Sequence, residues 1–527
     1  MRLVMTWLVV VVGVCCSGTL ARAEGPELWL YYSANLQVDE QVTKLEQIWR
    51  RAAQAGYTHV LFTDSKMARL GDLQGMEGRY FANVGRVKKL AEELKLQVVP
   101  GVFHVGYSGA MLWHDPNLAE GVPVKDSLFV VKGGEARLVA EPAVSLKAKP
   151  DWQDGTVAVG EGTATVRNNS GNARFVFKLN VAPFRCYHVA VKIRTSEFTG
   201  EPRIMPLGAN GRTLQYQSLQ AEGTQDWKEH HVVFNSFDNR QVTLYFGVWG
   251  DAKGELQWKD WKIEEVGLLN VLRRPGTPCV VKGYVEGKDY EPIVDPRMGT
   301  VPWAGEYEVW HEPPVIKTKG IADGTQLRVS WYHPAIIYQD QVGCCPSEPK
   351  TMALLADEAK RVKAAWGPKG YMMSHDEIRC LNWDESCQKL KLDAGQILAK
   401  NVRECTKLLA GSNVYVWSDM FDPYHNAVKD YYLVRGSLAG SWEGLDPSVT
   451  IMNWNFSKRD QSLKFFADRG HKQIIAGYYD GEPGQVKEWL KSAAKVKGVV
   501  GVMYTTWQHK YGDMEAFARV AKENWKK

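Results

Sequence analysis

The run Tyr371-Met-Met-Ser-His-Asp-Glu-Ile-Arg379 packs His375, Asp376, Glu377 and Arg379 directly behind a short strand signature, Tyr371–Ser374. Charged groups crowded at the end of a buried strand are costly unless they are paired. In a barrel built of β/α units, the C-terminal strand end is also where reactive groups collect. Two neighbouring carboxyls held in unlike environments, one protonated and one ionised, are what general acid/base chemistry needs. The same residues make a plain strand-end salt bridge if Arg379 neutralises Asp376 or Glu377. Adjacent strand residues point to opposite faces. Both carboxylates therefore reach one pocket only if the chain has already turned into a loop at Glu377.

The elements that must carry these residues fall in two β/α stretches. Leu28–Tyr32, His59–Asp64 and Leu96–His104 read as strands, with helices over Gln41–Ala55 and Val84–Leu94 between them. After residue 325, Leu327–His333, Tyr371–Ser374, Val414–Ser418, Val449–Trp454, Gln473–Tyr478 and Val499–Thr505 alternate with helical patterns, the last at Met514–Asn524. That makes nine candidate parallel strands for a barrel that needs eight, and the extra element is expected to be Leu327–His333 or one near the insertion. Between the two stretches the helical period disappears. Phe175–Leu179, Tyr187–Ile193, His230–Phe234, Val242–Val248 and Leu256–Ile263 alternate apolar and polar residues between turn signals, as antiparallel strands do. The expected fold is α/β: a (β/α)8 TIM-like barrel interrupted by an inserted antiparallel β-sandwich (jelly-roll) domain, with an open α/β sheet as the alternative. The expected divisions are a signal peptide over 1–23, a first barrel part over 24–124, the sandwich over 125–266, a β-rich connector over 267–324 and a second barrel part over 325–527.

At the strand ends of this arrangement stand His104, His333, Asp376, Glu377, Trp417, Asp419, Trp454, Tyr478, Asp480 and Trp507, with His375 and Arg379 inside the acidic run. Aromatic rings around carboxylates suit a sugar: flat rings cover its C–H faces and carboxylates take its hydroxyls. Asp419 or Asp480 offers a second carboxylate opposite Glu377, the geometry of a nucleophilic route.

Composition agrees with an exported, carbohydrate-directed protein. Arg2, the apolar run Leu3–Val14 and Ala21-Arg-Ala23 read as a secretory leader cleaved near Ala23, which expects a secreted or periplasmic protein. Removing it takes away Arg2 and Arg22 and no acids, so the formal charge falls from +5 to +3. That balance argues against a nucleic-acid partner. No later run is apolar enough to span a bilayer. The 20 Trp and 22 Tyr favour an oligo- or polysaccharide partner, although core packing also uses such rings. Of nine Cys, Cys186, Cys279, Cys344, Cys345, Cys380, Cys387 and Cys405 remain after cleavage. Their spacing fits no zinc ribbon or finger, so no metal and no cofactor is expected. Cys380 and Cys387 are the first pair to test for a disulfide.

The order Asp376-Glu377, Trp417, Trp454, Tyr478-x-Asp480 and Trp507 at successive strand ends resembles family 20 glycoside hydrolases, the β-N-acetylhexosaminidases. The resemblance covers about residues 28–110 and 326–507. It implies that Asp376 orients a 2-acetamido group that itself attacks, and that Glu377 is the general acid/base. Trp417, Trp454 and Trp507 would then wall the sugar subsite, with Tyr478 and Asp480 on the acetamido group or a hydroxyl. Ser374-His375 stands where the family has Gly-Gly, and Gln508-His509 follows Trp507 where the family has x-Glu. Tyr187–Ile193, Trp227 and Gly254–Ile263 resemble a galactose-binding-like carbohydrate module. The leading expectation is therefore a secreted glycoside hydrolase acting by carboxylate general acid/base catalysis. A non-catalytic carbohydrate-binding protein with a degenerate barrel site is the alternative. A metal-dependent hydrolase using His375 with Asp376 or Asp419 is a weaker third.

Overall fold

Short runs buried on both faces form parallel strands between helices, and the barrel is built from such runs. The computed structural model describes residues 25–303 and 305–525, so the leader expected at 1–23 lies outside the described residues. Eight parallel strands close into a ring: β1 (Glu27–Ser33), β2 (His59–Thr63), β3 (Gln97–Val102), β4 (Gly370–Met373), β5 (Asn413–Trp417), β6 (Thr450–Asn453), β7 (Gln473–Ile475) and β8 (Val499–Tyr504). Pairing of Glu27 with Gly501 through Leu30 with Tyr504 shuts it. Each strand sends one side chain into a common interior layer of Trp29, Leu61, Val99, Met372, Tyr415, Met452, Ile474 and Met503. Their neighbours, such as Leu28, Leu30 and Tyr32 on β1, face outward onto the helices.

Helices α1 (Asp39–Ala55), α2 (Glu77–Leu94), α3 (Pro349–Trp366), α4 (Ala394–Leu408), α5 (Arg459–Asp468), α6 (Val486–Ala493) and α7 (Met514–Asn524) cover the ring. In α1 the buried Val42, Leu45, Trp49 and Ala52 recur at helical spacing, and Gly56 ends the helix at φ 88°. The crossover from β5 to β6 carries short 3₁₀ turns, Asp419–Phe421 and Ser441–Gly444, in place of a long helix.

The chain leaves the barrel after β3 and returns before β4. Within this excursion Val157–Gly160, Thr163–Arg167, Cys186–Ser196, Gln225–Asn235 and Glu255–Glu265 form one antiparallel sheet. Trp152–Gln153, Ala173–Asn180, Arg203–Gly208 and Gln241–Val248 form another. Phe175, Phe177 and Phe246 from one meet Ile193, Trp258 and Trp261 from the other in a single core. Trp258 and Trp261 are thereby core residues rather than exposed sugar platforms.

A third sheet pairs Gln326–Pro334 antiparallel with Gly121–Lys132. Leu327–His333 is thus not a barrel strand, and this sheet crosses the divisions expected near 125 and 325. The reason is legible in its burial: Leu327, Val329, Trp331 and His333 are buried while Gln326, Arg328, Ser330 and Tyr332 are not. That alternation belongs to a sheet with one covered face, not to a barrel strand buried on both. The connector expected to be β-rich, 267–324, holds only Val280–Val281 and Ile316–Lys317 as strands among the described residues. No helix among the described residues is long and apolar enough to cross a membrane.

Candidate active site

The C-terminal ends of the barrel strands enclose a cavity of about 420 Å³ lined by Tyr31, Leu61, Thr63, His104, Tyr107, Ser374, Asp376, Glu377, Trp417, Trp454, Tyr479 and Trp507. That volume falls in the range of about 300–1,000 Å³ usual for small-molecule sites. Strand alternation builds its floor. Beyond Met372, which points into the ring, Ser374 and Asp376 also face inward, and both line the cavity.

Strict alternation would send Glu377 outward. It instead adopts φ +47°, a left-handed conformation unfavourable for a side-chain-bearing residue. Glu377 N–H donates to Asp419 Oδ2 at 2.9 Å, and Gln341 Nε2 donates to the Glu377 carbonyl at 2.9 Å. The left-handed turn brings the second carboxylate into the same cavity as the first.

The two carboxyls meet unlike surroundings. Arg379 Nη2 lies 2.6 Å from Glu377 Oε1, and the Tyr107 hydroxyl donates to Glu377 Oε2. Arg379 is itself fixed: Nη1 donates to Tyr107 Oη at 3.0 Å and to Gln341 Oε1. Its guanidinium lies 4.9 Å from the Tyr338 ring centre and 5.0 Å from that of Tyr432. Those tyrosines are braced by the inserted sheets, since Arg212 Nη2 donates to the Tyr432 carbonyl at 2.7 Å and Tyr216 packs 4.2 Å from the Tyr432 ring. Asp376 has no such partner. Burial pushes its carboxyl well above the usual range, with the charges of Asp419 and Glu377 adding to the shift. Asp419, fully buried, is also pushed up by burial, against the Glu377 N–H that favours its ionised form. Its Oδ1 has no hydrogen-bond partner, while Oδ2 takes the Glu377 N–H and Asn426 Nδ2. Burial lowers the His104 imidazole to about 4, so it stands neutral at the wall.

The aromatic wall is continuous. Trp454 stacks on Tyr479 with ring centres 5.6 Å apart and planes 19° apart. Trp507 packs against Tyr31 at 4.7 Å and Trp417 at 5.8 Å, and remains 41% exposed at the mouth. Replacing Trp507 by Ala is expected to weaken binding of a small molecule held in the cavity about 10-fold, because an exposed ring contributes contact area rather than proton transfer. Titration of wild type and variant with the same ligand checks this, and unchanged affinity would show that the ring takes no part in binding.

Of the residues marked from sequence, His104, Asp376, Glu377, Trp417, Trp454 and Trp507 line the cavity, and Asp419 lies directly beneath Glu377. Arg379 contacts the site through Glu377 rather than by lining it. The others lie elsewhere. His333 belongs to the outer sheet, where its Nε2 meets Asn235 Nδ2 at 3.2 Å. His375 alternates outward to α4, with Nε2 3.0 Å from Asn401 Oδ1. Tyr478 also turns outward, stacking on Tyr504 at 4.2 Å and meeting Phe517. Asp480 accepts the N–H groups of Trp507 and Gln508 at 2.8 and 3.1 Å, so it shapes the loop that presents Trp507. Tyr479, at φ +58°, lines the cavity, whereas Tyr478, expected on the acetamido group or a hydroxyl, does not. Tyr31 and Tyr107 line the cavity without being among the residues marked from sequence. Tyr31 was discernible by alternation with Trp29 along β1, whereas nothing in the sequence marks Tyr107.

The fold and cavity define a closed (β/α)8 barrel with an acidic, aromatic-walled site at its C-terminal rim. No family model and no curated protein matches the chain. Among solved structures it is similar to a chitobiase of Flavobacterium johnsoniae, at 8% identity and TM-score 0.38, over 94% of this chain and 48% of that one. It is similar to a β-N-acetylhexosaminidase of Bacteroides fragilis at 10% identity and TM-score 0.36, over 95% and 66%. A carbohydrate binding module from a Cellvibrio mixtus lichenase, solved with cellotriose, matches 24% of this chain and 98% of its own at 14% identity and TM-score 0.19. The chain thus spans about half of the chitobiase and about two thirds of the β-N-acetylhexosaminidase. The barrel described above rests on its own strand pairing.

Proposed function

We propose that the protein is an exported glycoside hydrolase that cleaves glycosidic bonds by carboxylate general acid/base catalysis on an oligo- or polysaccharide. The resemblance to family 20 puts N-acetylhexosaminides first among the substrates. One observation carries the reading: two adjacent carboxyls share the floor of an aromatic cavity, one compensated by a cation and the other not. Unlike environments for paired carboxyls are how acid and base roles are separated at one pH.

The resemblance gives the proton to Glu377 and positioning to Asp376. Their surroundings support the reverse division. Asp376, uncompensated and beside Asp419, keeps a proton to give to the leaving oxygen. Glu377, paired with Arg379 and hydrogen-bonded by Tyr107, is placed to steady the positive sugar of the transition state or to take a proton from water.

The alternative, a non-catalytic carbohydrate-binding protein, also has an observation in its favour. Both Glu377 oxygens are already occupied, by Arg379 and by Tyr107. A panel of aryl glycosides, N-acetylglucosaminide and N-acetylgalactosaminide included, separates the two. Release by the wild type that is lost in Glu377→Gln supports hydrolysis. No release from any sugar, with polysaccharide binding retained, overturns it in favour of binding alone.

A further inference from the structure

A second cluster of reactive side chains lies outside the cavity, where the chain leaves the barrel and comes back. Glu120 immediately precedes the strand Gly121–Lys132, and Cys345 lies four residues before α3. Asp384 caps the short helix Glu385–Gln388, which carries Cys387. All four side chains are buried, and one ligand-type atom from each lies within 4.8 Å of the others.

Three of the six spacings among these atoms match the edges of a tetrahedron, and the rest lie within 4.8 Å. A divalent ion with bonds of about 2.3 Å to sulfur and about 2.1 Å to oxygen requires S···S edges of about 3.8 Å and S···O edges of about 3.6 Å. Here Cys345 Sγ lies 3.6 Å from Cys387 Sγ and 3.4 Å from Asp384 Oδ1, and Cys387 Sγ lies 3.6 Å from Glu120 Oε2. The remaining oxygens are turned outward and held. Glu120 Oε1 accepts the Trp383 N–H at 2.7 Å, and Asp384 Oδ2 accepts Arg274 Nη2 at 2.6 Å. Each carboxylate thus has one oxygen fixed by the fold and the other directed at the thiols. Such outer contacts orient metal-ligating groups. Arg274, 5% exposed, also offsets part of the negative charge the four ligands would gather.

We infer that Glu120, Cys345, Asp384 and Cys387 form a binding site for a zinc-like divalent cation. Thiolates select a borderline-soft metal over calcium or magnesium. Four buried protein ligands leave no open coordination position, so the site is structural. It ties together the exit from β3, the return into α3 and the loop that continues from Arg379. Sequence spacing hides it, because only Asp384 and Cys387 are close in the chain and the other two ligands stand 225 residues apart, at 120 and 345.

The test uses the full-length protein purified from zinc-supplemented medium. Elemental analysis is expected to find about one zinc per chain. The Cys345→Ser/Cys387→Ser double variant is expected to lose it, and Cys279→Ser to keep it. Wild-type protein stripped with a chelator under reducing conditions should melt at a lower temperature. On adding cobalt(II) it should develop thiolate-to-cobalt charge-transfer absorption, a signature read on the wild type itself and so independent of how well the double variant folds. A reconstituted wild type that binds neither zinc nor cobalt overturns the site. So does recovery of a Cys345–Cys387 disulfide peptide from the protein as exported.

Discussion

Asp376→Asn is expected to lower kcat by about 10²- to 10⁴-fold on glycosides with poor leaving groups, the usual range for losing a general acid. It should lose far less on dinitrophenyl glycosides, whose leaving group departs without a proton. Glu377→Gln should lose activity on both, since the charge it supplies is needed whatever the leaving group. If Glu377→Gln is the variant rescued by the activated leaving group, the proton belongs to Glu377 and the division of labour argued from Arg379 and Tyr107 is wrong. The wild-type pH profile should fall on the alkaline side as the acid loses its proton. Because Asp376 and Asp419 lie close together, that limb belongs to the pair rather than to either residue.

The same substitution should stabilise the fold, with a sign fixed by linkage. Burial pushes Asp376 up towards about 8, against about 3.9 in the unfolded chain. Below pH 4 both states hold the proton and Asn gains nothing. Between the two values the folded state binds more protons than the unfolded state, so wild-type stability falls as pH rises and levels off above the folded value. The melting temperature of Asp376→Asn should therefore exceed that of the wild type by a margin that is absent near pH 4 and largest near pH 8. Thermal melts across that range check it, and a margin that shrinks with pH would show that Asp376 is ionised in the fold.

Sequence carried the barrel because its strands are apolar on both faces and its interior layer needs one inward residue per strand. Trp29, Leu61 and Met372 could be placed from alternation alone. The same rule separates the ninth candidate, whose alternation of buried Trp331 and partly exposed Tyr332 marks an antiparallel strand with one covered face. The site was legible only as far as alternation runs. Trp417 sits in or next to regular strand and lines the cavity. Of the marked residues that do not line it, His375 is turned outward by ordinary alternation, His333 lies on a strand outside the barrel, and Tyr478 and Asp480 sit where the backbone departs from the expected path. The left-handed turns at Tyr479 and Asp480 exchange which aromatic ring faces inward, and a sequence pattern of Tyr-x-Asp contains no record of that turn. Glu377 shows the converse, because φ +47° keeps it in the cavity when period-two geometry would turn it out. Partners such as Tyr107 and Gln341, over 30 residues away in the chain, are brought to Arg379 by tertiary packing alone.

Gly106→Ala should be nearly as damaging to activity as loss of a carboxylate, although Gly106 carries no chemistry. A Cβ at this position would overlap the Asp376 carbonyl oxygen and lie 3.2 Å from the Glu377 carbonyl carbon and oxygen. These are backbone atoms, so no side chain can rotate to make room, and the turn that delivers both carboxylates must move. Its other constraints resist: Gln341 Nε2 bonds both the Gly106 and the Glu377 carbonyls, at 3.1 and 2.9 Å, and Asp419 holds the Glu377 N–H. Overpacking of this kind costs about 1–3 kcal/mol of stability. A displacement of about 1 Å at the reacting groups costs about 10²-fold in rate. The expected result is a folded variant with a lower melting temperature and kcat reduced about 100-fold on every substrate the wild type cleaves. Dinitrophenyl glycosides should not rescue it, because both carboxylates shift together. A variant with normal kcat would mean that the 376–377 turn adjusts freely and that its left-handed geometry is not what positions the acid and its partner.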